Sequence, residues 1–236
     1  MKTSKHTFFC EQIDDLQLSK EEAHHAAKVL RLNQGDIINV IDGKGKFVIC
    51  EITSITKNEL HFSIIEQREQ DQPKTKLHIA IAPTKSNERI EFFLEKAVEI
   101  GISEITPILS SNSERKQIKI ERWNKIIVSA AKQSNNLHFP KLNELTKLSS
   151  FFTNLAADNS KKLIAHCEED EMKNELKNEI SGHNDFCILI GPEGDFSAEE
   201  IILAKSNHFK PVSLGKTRLR TETAGIVACH TVNLIL

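Results

Sequence analysis

The spacing of apolar residues changes character near residue 73. Between Asp36 and Arg68 they fall in three short runs within DIINVIDGKGKFVICEITSITKNELHFSIIEQR, broken by Asp42-Gly43-Lys44-Gly45 and by Lys57-Asn58. Short apolar runs parted by glycine and asparagine turns predict three strands of a small antiparallel sheet or barrel. Ahead of them EEAHHAAKVLR has helical spacing, and Ser19 followed by Glu22 predicts a capping box at its start. The stretch REQDQPKTK carries charge and a proline but no apolar period, which predicts a boundary between domains of residues 1–72 and 73–236.

Beyond Lys76 strand-like and helix-like segments alternate. LHIAIAP, ITPIL, KLIAHC, CILIG and PVSLG read as strands; NERIEFFLEKAVEIG, ERWNKIIVSAAKQSN, SAEEIILAKSN and TAGIVACHTVNLIL read as helices. Ile90, Phe93, Leu94 and Ala97 form a core-facing stripe on the first of these helices. The alternation predicts an α/β fold, a mostly parallel sheet covered by helices on both faces. Ligands gather beyond the carboxyl ends of such strands, which directs attention to Ile190-Gly191 and Leu214-Gly215.

In FCILIGPEGDFSAEE, Gly191 and Gly194 bracket Pro192-Glu193 as a sharp turn, and Ser197 with Glu200 predicts a second capping box. Any strand–turn–helix junction has this look, and Glu193 also fits a solvated turn. PVSLGKTRLRTETAGIVACH is harder to explain by structure alone. Thr221 is expected to cap the last helix and Glu222 suits its dipole. Arg218 and Arg220 lie just ahead of that helix, where positive charge is disfavoured, so an anionic partner is expected beside them.

Composition sets the class. Of 236 residues, 39% are hydrophobic and 27% charged, the balance of a soluble globular protein. The opening MKTSKHTFFCEQIDD offers only three consecutive apolar residues, so no signal peptide is expected, and no stretch reaches membrane-spanning length. Five scattered cysteines without a Cys-x-x-Cys spacing argue against a disulfide framework or a zinc site and fit a reducing cytoplasm. His24 and His25, adjacent on a helix, cannot chelate together, so no metal is expected. Charge is uneven: nine basic residues against twelve acidic in 1–72, thirteen against eight in 73–157, nine against thirteen in 158–236. The basic middle, with SERKQIKIER at its centre, fits either a solvated face or a phosphate-binding one.

Several segments together resemble one family. LIGPEGDFSAEE, followed about twenty residues later by SLGKTRLRTETA, resembles the paired C-terminal signature of the RsmE family. These are bacterial methyltransferases of the SPOUT superfamily that form 3-methyluridine in small-subunit ribosomal RNA. EEAHHAAKVLRLNQGD, KAVEIGISEITPILSSNSERK and RWNKIIVSAAKQSN resemble further blocks of the same family, in order along nearly the whole chain. The resemblance implies a SPOUT-type C-terminal domain with a trefoil knot, a small N-terminal PUA-like barrel, and S-adenosyl-L-methionine as cofactor. It also implies a homodimer formed through the C-terminal domain, and 16S rRNA or the small subunit as partner. Asp195 stands where the family often has glycine, and Lys132 and Asn136 stand where it has glutamate and arginine.

Under that resemblance Ile190, Gly191, Pro192, Glu193, Gly194, Leu214, Gly215, Leu219, Arg220 and Thr221 are expected around the cofactor. Transfer of an already activated methyl group asks mainly for alignment and for stabilisation of the charge left on uracil as its imide proton departs. Arg220 is the first choice for that, Arg218 the second, and Glu222 is expected to orient. RNA contacts are expected from His25, Lys28, Arg31, Arg115, Lys116 and Arg122. Two other classes remain open: a non-catalytic RNA-binding protein of the same fold, and a nucleotide-phosphate enzyme using residues 191–194 as an anion cradle. The second lacks the Gly-x-x-x-x-Gly-Lys-Ser/Thr spacing.

Overall fold

The computed structural model describes residues 4–155 and 159–236. They form two units, one running up to Gln72 and including Val128–Phe139, the other comprising Pro73–Ile127 and Pro140–Leu236.

In the first unit, strands β1 (Thr7–Phe9), β2 (Gln17–Leu18), β3 (Ile37–Ile41), β4 (Lys46–Ile55) and β5 (Leu60–Glu69) pair in the order β1-β3-β4-β5-β2. The result is a nearly closed, barrel-like sheet. The pattern predicted its three long strands; β1 and β2, of three and two residues, are too short for alternation to reveal. Phe8, Ile38, Val40, Val48, Cys50, Ile52, Leu60 and Phe62 fill the interior together with Ala23 and Ala26. Those two alanines come from helix α1 (Lys20–His24) and from the π-helical turn His25–Val29 that continues it.

Only half of the expected first capping box forms. Ser19 Oγ accepts from Glu22 N at 3.3 Å, but the Glu22 carboxylate turns away to accept from Phe9 N at 3.3 Å and to meet Lys132 Nζ at 2.6 Å. Glu22 is buried, and a buried carboxylate needs a counter-charge more than a helix end needs a second cap. Lys132, one of the residues that departs from the family pattern, supplies it. Segment 128–139 is bound into this unit at the β3–β4 turn as well. Gly45 N donates to Leu137 O at 2.9 Å, and a Cβ on Gly43 would meet the Phe139 ring at 2.8 Å.

The second unit holds β6 (Lys76–Ile81), β7 (Glu104–Leu109), β8 (Lys141–Leu142), β9 (Thr146–Lys147), β10 (Lys161–Ala165), β11 (Asn174–Glu175), β12 (Asp185–Ile190) and β13 (Lys210–Ser213). All pair in parallel, in the order β11-β13-β10-β12-β6-β7-β8, with β9 also against β7. The helices are α2 (Asn87–Ile100), α3 (Ile120–Ser134, entering the first unit at Val128), α4 (Leu148–Asn154), α5 (Ala198–Ser206) and α6 (Thr221–Ile235). Successive strand residues face opposite sides, and both sides are covered. Ala80, Ile164, Cys187 and Leu189 pack with Phe151 and Phe152 of α4 and Ile201 of α5, while Ile81 on the other face approaches α6 at Gly225. Helix α2 buries its predicted stripe of Ile90, Phe93, Leu94 and Ala97. It stops at Gly101, whose φ of +112° suits glycine and whose N–H donates to Ala97 O.

Register decides where a site can form. Ala165 of β10 pairs with Ile190 of β12 and with Val212 of β13, and Ile190 pairs with Ile81 of β6. Four strands therefore end level with one another, and the chain segments leaving them start from one edge of the sheet.

Candidate active site

The loops after β10, β12 and β13 enclose a cavity of about 450 Å³. Its walls include Ala165, His166, Cys167 and Lys173 from the first loop, Ile190 to Glu193 and Asp195 from the second, and Val212 to Thr221 with Ala224 from the third. Ser197 caps α5 through the complete predicted box, which fixes where the second loop must end; Glu200, its other half, also accepts from Ser111 N at 2.7 Å. Asn112 Nδ2 donates to the carbonyls of Gly194 and Asp195 at 3.2 and 3.1 Å, so the segment after β7 holds the second loop from outside.

Glu193 joins three segments. Its Oε1 accepts from Lys85 N at 3.0 Å and its carbonyl accepts from Arg218 Nη2 at 3.3 Å. Arg115 Nε in turn donates to Thr84 O at 2.8 Å, and its Nη2 to Lys85 O. Lys173 Nζ gathers the first loop by donating to His166 O at 3.0 Å and to Glu168 O. Behind that loop the Lys205 ammonium, 2.6 Å from Asp170, holds the Asp170 carboxyl below its ordinary range. Burial, with the Lys173 charge nearby, pushes the His166 imidazole down. His166 is buried and neither of its ring nitrogens has a hydrogen-bond partner.

Two matches span most of the chain. Residues 70–233 fit the family model described as RNA methyltransferase domain, and residues 18–65 that of RNA methyltransferase PUA domain. The ribosomal RNA small subunit methyltransferase E of Rickettsia conorii is 30% identical over 92% of this chain and 88% of its own length. The chain belongs to the ribosomal RNA small subunit methyltransferase E family. A crystal structure from Porphyromonas gingivalis, 37% identical, superposes with a TM-score of 0.87 over 98% of both chains. The methyltransferase E of Neisseria gonorrhoeae, solved bound to S-adenosyl methionine, is 25% identical, with a TM-score of 0.84 over 95% of this chain and 94% of its own.

Within this methyltransferase E fold the residues picked out from sequence separate into groups. Ile190, Gly191, Pro192, Glu193, Leu214, Gly215, Leu219, Arg220 and Thr221 all line the cavity, as does Arg218. Gly194 does not: a Cβ there would come within 3.2 Å of Asn112 Cβ, so its glycine serves the packing of the loop's outer side. At the third loop Arg220, not Thr221, is the N-cap residue of α6. Thr221 is drawn into the helix and buried, and no side-chain cap bond forms at this end. Glu222 is buried in the first turn of α6, 4.0 Å from Arg89 Nε, and its Oε2 has no partner.

The expected RNA-contact residues differ in how free they are. His25, Lys28 and Arg31 are exposed on the first unit. In the second unit Lys116 is exposed, but Arg122 forks onto Glu91 with both nitrogens at 2.6 and 2.7 Å, and Arg115 is committed to the loop carbonyls. Sequence reasoning missed His166, Cys167 and Lys173 as walls of the cavity. They lie at and beyond the end of β10, a strand the pattern predicted, and the rule that ligands gather at strand ends would have found them. Among the described residues no group of three or more histidine, cysteine or acidic side chains is placed to hold a metal ion.

Proposed function

We propose that this chain uses S-adenosyl-L-methionine to methylate N3 of a uridine in the 16S rRNA of the small ribosomal subunit. The observation that carries the reading is the cavity at the level ends of β10, β12 and β13, rimmed by Arg218 and Arg220 and contained within the match to an RNA methyltransferase domain. The PUA-domain match over residues 18–65 supplies a second surface for RNA.

The residues present suit such a cofactor. The volume lies within the span of about 300–1,000 Å³ common to small-molecule sites. Ile190, Leu214 and Leu219 offer apolar surface to a flat ring. Gly215, at φ +149°, lines the cavity where a Cβ would meet no protein atom within 4 Å, so its backbone is open to a close-fitting ligand. When bound, the sulfonium cofactor supplies an activated methyl group.

The remaining chemistry falls to the chain. Arg220, exposed at the N-cap of α6, presents a guanidinium fork that stabilises the negative charge spreading over the uracil carbonyls as the imide proton leaves. Arg218, donating to Glu193 O, ties the third loop to the second and keeps the rim in place. Glu222 is held in the first turn of α6, 4.0 Å from Arg89 Nε, and serves as an orienting group for Arg220 or substrate. Exposed Lys116 on the second unit, and His25, Lys28 and Arg31 on the first, are the groups free to meet phosphates.

The deciding experiment is transfer of labelled methyl to small subunits lacking the modification, with cofactor affinity measured in parallel. Arg220→Ala should leave cofactor binding nearly intact and slow single-turnover transfer by about 10²–10³-fold, the usual loss for one preorganised donor. Arg220→Lys should recover part of it. Near-normal turnover in the alanine variant would remove Arg220 from the mechanism. We also propose a cytoplasmic homodimer joined through the second unit. Leu234, Ile235 and Leu236 at the end of α6 leave apolar surface exposed, and no described helix is long and apolar enough to cross a membrane. Light scattering of the full chain at micromolar concentration tests the dimer, and a monomer mass would refute it.

A further inference from the structure

Asp195 stands in the cavity wall with a left-handed backbone, φ +64°. Among residues with a side chain, aspartate and asparagine tolerate that conformation best. The carboxylate itself helps to hold it: Oδ2 accepts from Cys167 N at 2.6 Å, joining the first loop to the second, and Oδ1 accepts from Phe196 N at 2.8 Å. The donors are two neutral backbone amides, joined by the neutral Cys167 thiol. No cation pairs with Asp195 among the described residues, so its charge is not cancelled by a partner.

The charges around it make that matter. The cavity is lined by Lys173, Lys216, Arg218 and Arg220 and, on the acidic side, only by Glu193 and Asp195. Glu193 directs one oxygen to Lys85 N. A wall with such a surplus of positive charge opposes a cationic ligand unless a carboxylate lies close by.

We propose that Asp195 is a specificity residue whose carboxylate makes the cavity favour the cationic methyl donor over the uncharged product left by methyl transfer. The proposal rests on the reading of this cavity as the S-adenosylmethionine site. In the transfer, the electron pair of uracil N3 forms the new N–C bond, and its imide proton passes to solvent. The S–C pair stays on sulfur, which changes from sulfonium to neutral thioether. Donor and product share every other atom. Contacts of shape and hydrogen bonding to the shared atoms therefore weigh on both alike, whereas a nearby carboxylate acts on the sulfonium charge that the donor alone carries. At an effective dielectric of about 50, between the protein-surface and bulk-water values, a half-exposed carboxylate about 5–6 Å from the sulfonium would discriminate by about five- to tenfold. The enzyme thereby sheds spent cofactor more readily than it sheds the donor.

The test is titration calorimetry on the full chain with three ligands: S-adenosylmethionine, S-adenosylhomocysteine, and sinefungin, in which an amine-bearing carbon replaces the sulfonium. Two variants remove the charge with different side effects. Asp195→Asn keeps the shape and tolerates the left-handed backbone, and Asp195→Gly takes up that backbone freely. Both should lower the ratio of product Kd to donor Kd by about five- to tenfold, with sinefungin following the donor. Equal weakening of all three ligands would make Asp195 a loop clasp only and overturn the proposal, as would an unchanged ratio in both variants. If the unaltered chain binds neither donor nor sinefungin, the cavity is not the cofactor site and the parent reading falls with it.

Discussion

Replacing Gly225 by alanine should destabilise the protein, although alanine is the better helix former. Gly225 lies buried in α6, three residues beyond Glu222, against α2 and β6. A Cβ there would stand 2.6 and 2.7 Å from Phe93 Cε2 and Cδ2 and 3.0 Å from Ile81 Cδ1, where ordinary contact begins at 3.4 Å. Phe93 and Ile81 are wholly buried and have no vacant space to turn into, so relief requires α6 to move outward by several tenths of an ångström. Overpacking costs about 1–3 kcal/mol in general and about 2–3 kcal/mol here, where two contacts fall below 3.0 Å against a wholly buried ring, and the helix propensity gained returns about 1 kcal/mol. The balance is a loss of about 1–2 kcal/mol, or a fall of about 3–6 °C in the unfolding midpoint for a chain of this size. Because α6 begins with Arg220 as its N-cap and Glu222 in its first turn, methyl transfer should fall as well. Urea unfolding followed through the single buried tryptophan, Trp123, measures the first effect. Phe93→Leu added to Gly225→Ala should cost less than the two changes summed, since the shorter side chain makes room. A Gly225→Ala protein as stable as the parent, or strictly additive costs in the double variant, would refute close packing as the reason for glycine here.

Lys116→Ala should weaken RNA binding and flatten its salt dependence, whereas Arg122→Ala should leave the salt slope unchanged. Arg122 instead holds the Glu91 carboxyl below its usual range, so the pair contributes stability at neutral pH that is lost as pH falls through that lowered value; Arg122→Ala should make the acid limb of the stability curve shallower. Gly215→Val should abolish cofactor binding measured by calorimetry, through its positive φ and its place in the wall, while Gly194→Val should act through stability and spare much of the affinity at temperatures where it stays folded. Alkylation of the native protein should mark Cys167 alone, because the other four thiols are buried and burial pushes Cys50 and Cys229 up to about 12; bound cofactor should protect Cys167, and labelling unaffected by cofactor would place the ligand elsewhere.

What could be read from the chain follows the range of the interactions involved. Strand–helix alternation, the stripe on α2 and the Ser197–Glu200 box depend on neighbours within a few residues, and each appears in the structure where the pattern placed it. Local grammar misled where a distant partner competed. Glu22 has the right spacing to cap Ser19, but Lys132 and Phe9 claim its carboxylate, and neither is visible from residue 19. Thr221 has the chemistry of a cap, but its burial draws it into the helix and leaves Arg220 in the cap position. Asp195 departs from a glycine-rich pattern, yet its φ of +64° is the kind of backbone glycine would adopt there, reached through two hydrogen bonds no pattern predicts. The attachment of residues 128–139 to the first unit likewise depends on tertiary contacts alone. Arg115 and Arg122 looked like surface charge because the carbonyls and the carboxylate they serve are about thirty residues away.

The hydrogen bond from Lys85 N to Glu193 joins residues 108 positions apart, and the sheet around it joins β6 to β12 across a similar span. Closing so long a loop is slow compared with forming any of the helices. The cavity therefore cannot assemble on a nascent chain until the segment through β13 has been released, and helices can be complete while the ligand-binding walls are still apart. Refolding watched by far-ultraviolet dichroism should finish ahead of refolding watched by cofactor capture. That interval leaves a polypeptide with its helices formed and its ligand-binding walls still apart, so ligand capture reports the long-range pairing of β6 with β12 and not the helices.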